Sequence, residues 1–285
     1  MIKKSQIDGL ALILLIIILS GCVNLKYVND FSTASQKGLK QFEAVTYSFK
    51  QNCLDTCHDY NLNKLNLIPQ DCECQLSEKA DSVTLLIYHA VIGYIDGLTS
   101  LSNKDLTSYK MDAMTKVLTE GKFGSIKIEK KQVDAFKTIS NVLLRAFTDR
   151  YRNKKIKEYV KEANEPFKVL ISSLDYNLSE NLSGILNTYK TGIKRDFFNW
   201  TKKDLTLSNF EKRKIAEEYY QQLEKIETRQ KELLTYSKTL KKIADGHQKL
   251  AENIDKLSKD EIKGQLFQYA SDIKDIISEF NKLKK

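Results

Sequence analysis

Proline occurs only twice in the 285 residues, at Pro69 and Pro166, and glycine only eleven times. So few chain breakers argue against a fold of many tight turns, and no regular spacing of turn signals marks a β-sandwich. Histidine is scarcer than glycine, and His58, His89 and His247 are scattered along the chain. There is no His-Glu-x-x-His metal helix, no Gly-x-Ser-x-Gly elbow and no glycine-rich phosphate loop. A two-carboxylate hydrolase leaves no local signature, so hydrolysis of a polymer stays open as an alternative. The main expectation is a protein that is not an enzyme, with no catalytic residues, no metal and no cofactor.

Lys, Glu, Leu, Ile and Gln dominate instead, and these straight-chain residues favour helix. The expected class is all-α. The architecture read from the sequence is an elongated helical bundle with a long C-terminal coiled-coil-like hairpin and an N-terminal disulfide-clasped hairpin. The net charge is +9. A basic surface favours anionic lipid, polyanionic glycan or nucleic acid; the competing reading is a solvated, lysine-rich helical surface.

The N-terminus carries the most specific motif. Lys3 and Lys4 precede an unbroken apolar run from Leu10 to Leu19, which Ser20, Gly21 and Cys22 close. The run is about half the roughly 20 residues that a spanning helix needs. A charged start, a short apolar core and a small-residue cleavage site are the parts of a secretory signal. Leu19-Ser20-Gly21-Cys22 resembles, at every position, the lipobox of the type II signal peptide of bacterial lipoproteins. The resemblance covers residues 1–22. It implies cleavage after Gly21, a diacylglyceryl group on the Cys22 sulfur, and a fatty acyl chain such as palmitate on the new amine. Two or more chains anchor a protein stably where one binds only marginally. The implied location is the bacterial cell envelope. By resemblance to enterobacterial lipoproteins, Val23 in place of Asp fits outer-membrane delivery, on the periplasmic or surface face. In a single-membrane bacterium it would be the outer face of the cell membrane. Nucleic acid is then not an expected partner.

Lipidation of Cys22 leaves four of the five cysteines: Cys53, Cys57, Cys72 and Cys74. An even, clustered set in an exported protein reads as disulfides, with three pairings open. Cys53 and Cys57 share a helix face, and the stretch from Asn61 to Gln70, with Pro69, looks like a turn. An antiparallel return favours the nested pairs Cys53–Cys74 and Cys57–Cys72. Two other readings compete. Cys53-Leu54-Asp55-Thr56-Cys57-His58 looks like a lengthened haem c attachment motif, and the four thiolates with His58 could form a zinc site. Cys72-x-Cys74 departs from the usual zinc spacing.

The chain divides into a signal (1–21), a lipidated tether (22–30), a clasped helical region (31–125), a helical middle region (126–205) and a long hairpin (206–285). A first helix is expected from about Phe31 to Tyr60. Val83 to Leu98 is apolar nearly all round and therefore reads as buried; His89 within it reads as structural. A short helix is expected from Thr107 to Glu120, with Gly121-Lys-Phe-Gly124 as a loop. A long helix begins near Glu129 and runs into a basic stretch, Arg145, Arg150, Arg152, Lys154, Lys155, Lys157 and Lys161, offset only by Asp149 and Glu158. This stretch is the candidate anion or membrane contact. Pro166 marks a break or a new helix start, and the pattern is interrupted from Asp175 to Gly184. Ile193, Phe197, Phe198 and Trp200 form an aromatic cluster that reads as core.

Ser208-x-x-Glu211 is a capping-box pattern. It opens a periodic segment of about fifty residues, roughly 75 Å as one helix. One heptad set is Tyr219, Ile226, Leu233, Leu240, His247 and Ile254; the other is Gln222, Arg229, Tyr236, Ile243, Leu250 and Leu257. These sets argue for a coiled-coil seam, within the chain or between chains, with His247 as a register or partner feature. Ser258-x-x-Glu261 is a second capping box, and Ile262, Leu266, Tyr269, Ile273, Ile276, Phe280 and Leu283 restart the pattern.

The expected function is a non-enzymatic, membrane-anchored lipoprotein presenting a helical surface to an envelope protein, in an accessory, structural or exclusion-type role. The alternatives are an anionic-lipid or polyanion-binding module and an envelope-polymer hydrolase. A short tether would place the cysteine clasp and the basic stretch near the membrane.

Overall fold

Val28, Phe31 and Ala34 lie three apart and face one way on a helix, which opens the fold. The computed structural model describes residues 25–66, 68, 70–102, 118–148, 152–257 and 259–284. In chain order its elements are α1 (Lys26–Leu39), a 3₁₀ turn (Lys40–Ala44), α2 (Phe49–Asn63), α3 (Gln75–Ser102), β1 (Gly121–Phe123), β2 (Ile126–Ile128), α4 (Lys130–Thr148), α5 (Arg152–Tyr176), α6 (Ser183–Phe198), α7 (Asn209–Asn253) and α8 (Asp260–Leu283). The fold is an all-α bundle with long C-terminal helices. One hydrophobic core runs from Val28 to Phe280 and draws on all three helical regions delimited above.

α1 packs against α3, α7 and α8. Val28 is fully buried, so the expected tether ends before Lys26: the core reaches further towards the N-terminus than the charged residues suggest. The helix expected from Phe31 to Tyr60 is broken. After the 3₁₀ turn Val45 is extended, and α2 restarts at Phe49. The restart has two caps. Ser48 Oγ accepts from the Gln51 N–H, while the Asp81 carboxylate of α3 accepts from the Phe49 and Lys50 N–H groups at 2.9 and 3.0 Å. These bonds satisfy donors that a helix start leaves open.

α3 is long and apolar enough to cross a membrane by length and composition, yet 67 % of its apolar window is buried inside the protein. Its neighbours are α1, α2, α4 and α5. The expected loop at Gly121 is instead the first strand of a hairpin, with Phe123 opposite Ile126. Ile126 and Ile128 are buried and Lys127 between them is exposed, the period-two pattern of a strand. Gly124 takes φ +60° at the turn. The helix expected over Thr107–Glu120 lies mostly outside the described residues; 118–120 are not helical.

Pro166 does not end a helix: it lies inside α5. Ala163, Phe167 and Leu170 around it are all buried, and that packing outweighs one lost backbone bond. The interruption read at Asp175–Gly184 is a π-helical turn, Asn177–Leu182, that joins α5 to α6 without a break. Buried Asn177 donates to Thr84 Oγ1 of α3 at 3.3 Å. A second π turn, Asn199–Lys203, ends α6; there Thr201 Oγ1 donates to the Phe197 carbonyl at 2.7 Å, the back-bonding common for a hydroxyl side chain within a helix.

Ser208 caps α7 in a reciprocal box with Glu211. The heptad positions Ile226, Leu233, Tyr236, Leu240, Ile243, His247 and Leu250 are all buried. Their partners come from α1, α5, α6 and α8 of the same chain, so the seam is filled within the molecule. Ser258 lies outside the described residues, and α8 begins after Lys259 with no side-chain cap bond.

Candidate functional site

α2 carries Cys53 and Cys57, and the chain returns antiparallel to it with Cys72 and Cys74. Cys53 is bonded to Cys74 and Cys57 to Cys72. These bridges leave none of the four thiols for haem or zinc. Asn61 holds the loop between them: its Nδ2 donates to the Gln70 carbonyl and its Oδ1 accepts from the Gln70 N–H, both at 3.1 Å. The closed loop displays Leu62, Leu65 and Ile68, of which Leu65 and Ile68 are 87 % and 85 % exposed.

This loop lies beside the hairpin formed by α6 and the first half of α7. Asn63 Nδ2 donates to Asp196 Oδ2 at 3.0 Å, and Arg229 pairs with Asp55 at 2.9 Å while stacking over the Tyr47 ring. Burial pushes the Tyr47 hydroxyl up to about 12. Between α2, α6 and α7 opens a cleft of about 300 Å³. Leu62, Ile193, Phe197, Trp200, Ile215 and Tyr219 supply its apolar walls; Asp59, Asp196 and Glu218 supply its charge. Phe197 stacks on Tyr219 with ring centroids 4.3 Å apart. Asp59 bonds to Tyr189, and burial raises its carboxyl above the usual range.

The aromatic cluster read as core is therefore split. Ile193 is buried, Phe197 is half-buried, and Phe198 and Trp200 are exposed, Trp200 in the lining of the cleft. Leu205 and Phe210, beyond the cleft, are also exposed. Exposed apolar side chains gathered at a cleft, here Leu62, Leu65 and Trp200, are the mark of an interaction site. The cleft escaped the sequence reading because α2 meets α6 across more than a hundred residues of chain. The exposed Leu65 and Ile68 inside a disulfide loop were the available signal.

The basic stretch is less free than its sequence suggests. Arg145 pairs with Glu162, and Lys157 and Lys161 pair with Asp255. The Lys161 ammonium, its nearest partner, holds the Asp255 carboxyl below the usual range. Lys155 also has an interaction. Arg150 and Cys22 lie outside the described residues, as do the side chains of Arg152 and Lys154.

The expected placement of clasp and basic stretch at one end does not hold. Asn29 of α1 donates to Ser102 at the end of α3, whereas Cys74 immediately precedes the start of α3. The clasp is thus about 40 Å along α3 from the start of α1. Lys157 and Lys161, paired with Asp255 beyond Gly246 of α7, lie instead towards the end where α1 starts. His247 is buried between α3, α5 and α7, bonded to Tyr94 and Asn164, so it is an internal packing feature. Among the described residues no group of His, Cys, Asp and Glu could hold a metal ion. Comparison with protein families, with curated proteins and with solved structures finds no match to this chain.

Proposed function

We propose that the chain is a non-enzymatic bacterial lipoprotein, held to a membrane through Cys22, that presents the tip formed by α2, α6 and α7 to a protein of the envelope. The observation that carries this reading is the position of the exposed apolar tip. It lies at the opposite end of the bundle from the start of α1. From Tyr219 in the cleft to Gly246, which meets Phe31 of α1, α7 rises about 40 Å. An anchor at residue 22 would hold the basic end near the membrane and the tip away from it. The ion pairs of Arg145, Lys157 and Lys161 give the anionic-lipid reading less support.

Two measurements test the proposal. Cys22→Ala should move the protein from the membrane fraction to the soluble fraction and remove the diacylglyceryl mass from its N-terminus. A photo-crosslinking residue at Phe210 should form a discrete protein adduct in the native envelope, and one at exposed Lys137 on α4 should not. Membrane retention of the Cys22 variant, or lipid adducts alone from position 210, would refute it.

A further inference from the structure

We infer that the cleft between α2, α6 and α7 receives a basic amphipathic helix of the partner, an inference that rests on reading the tip as a docking surface. Charge complementarity carries it. The chain has 46 Lys and Arg against 37 Asp and Glu, yet among the described residues the charged side chains lining the cleft are all acidic: Asp59, Asp196 and Glu218. Arg195, which pairs with Asp196, is 72 % exposed and outside the lining. A cleft lined by apolar side chains and carboxylates fits an apolar stripe flanked by Lys or Arg.

Size and shape point the same way. About 300 Å³ is at the lower bound for a small-molecule pocket, and the lining side chains Leu62, Leu65 and Trp200 stand exposed. A small molecule seated in the cleft would leave much of these side chains bare, whereas a helix laid across the cleft covers them. Anionic lipid would face the carboxylates, and a second copy docked tip to tip would oppose them to their own equivalents. Both arrangements set like charges together, which is costly. The site is also held in shape. Two disulfides fix the loop after α2, and the Phe197–Tyr219 stack fixes α6 on α7. Less ordering is then required on binding.

Trp200 is the chain's only tryptophan and lines the cleft, so its emission reports occupancy. The full chain is titrated with a tryptophan-free Leu–Lys helix of about 18 residues, long enough to be helical once bound. The comparison peptides are a Leu–Glu helix of the same periodicity and a scrambled Leu–Lys sequence. The Leu–Lys helix should shift Trp200 emission to the blue, saturably, and bind at least about tenfold more tightly than either comparison. Combining Asp59→Asn, Asp196→Asn and Glu218→Gln should weaken it about tenfold with the helical circular dichroism unchanged. Equal binding by Leu–Glu, undiminished binding by the triple variant, a shift produced only by anionic vesicles, or one explained by self-association would overturn the inference. If such a result came with a protein adduct from position 210, the docking tip would stand and only its basic-helix ligand would fall. Loss of both would remove both.

Discussion

The Tyr94 hydroxyl donates to Nε2 of His247 across 2.7 Å, 153 residues away in the chain. On the far side of the ring, Nδ1–H donates to Asn164 Oδ1 at 3.1 Å. An amide oxygen only accepts, so Nδ1 carries the proton; burial keeps the ring neutral, which leaves Nε2 to accept from Tyr94, and the imidazole ties α3, α5 and α7 together. Burial lowers its pKa from 6.5 to about 3. The unfolded chain binds a proton below pH 6.5 that the folded one refuses, so stability is full above that pH and falls as pH drops towards about 3. The loss between pH 6.5 and about pH 5 is on the order of 2 kcal/mol. Urea unfolding across that range measures it. His247→Gln should be less stable at neutral pH and less sensitive to acid; an unchanged pH slope would mean that another group carries the effect.

Gly246 lets α1 approach α7. A Cβ there would lie 2.3 Å from the Phe31 ring, whereas one at Gly264 would meet nothing within 4 Å. Gly246→Ala should cost about 1–3 kcal/mol by overpacking. Gly264→Ala, inside α8, should be stabilising by about 0.5–1 kcal/mol. Paired thermal melts decide the matter, and equal effects at the two sites would contradict the close approach.

The disulfides close loops of 15 and 21 residues. In the chain-entropy model each contributes about 3 kcal/mol. Replacing Cys57 and Cys72 by Ser should lower stability by about that amount and open the loop after α2 to limited proteolysis. A variant that keeps both its stability and its protease resistance would show that Asn61 and the Cys53–Cys74 bridge suffice to maintain the loop.

Asp81 caps a helix that begins 32 residues before it. Asp81→Ala should cost about 0.5–2 kcal/mol, concentrated in the first turn of α2. Hydrogen exchange at Phe49 and Lys50 is the readout. Acceleration there, with α3 unaffected, is expected; uniform acceleration would indicate a general loss of packing.

The parts legible in the sequence are those that local spacing decides. Ser208 and Glu211 meet within one turn, and Leu233, Leu240, Ile243 and Leu250 keep one face of a single helix. The nested disulfides likewise follow from two short segments and a turn. The break at Val45 was hidden because one of the caps that restart α2 belongs to α3. Pro166 stays inside α5 because its buried neighbours, not its own ring, decide the local structure. Arg229, a charged residue at a seam position, faces Asp55 of α2 and Tyr47 just before it, where a guanidinium is matched. The cleft requires three helices from distant stretches, so no window of sequence contains it.

The π turn at Asn177–Leu182 inserts an extra residue into an otherwise continuous helix. Deleting one residue there would restore ordinary bonding without breaking the rod, but would rotate everything beyond it by about 100°. Phe197 and Trp200, roughly 30 Å downstream, would swing away from α2. The direction in which the tip points is thus encoded by residue count upstream, in a segment that contributes no atom to the cleft.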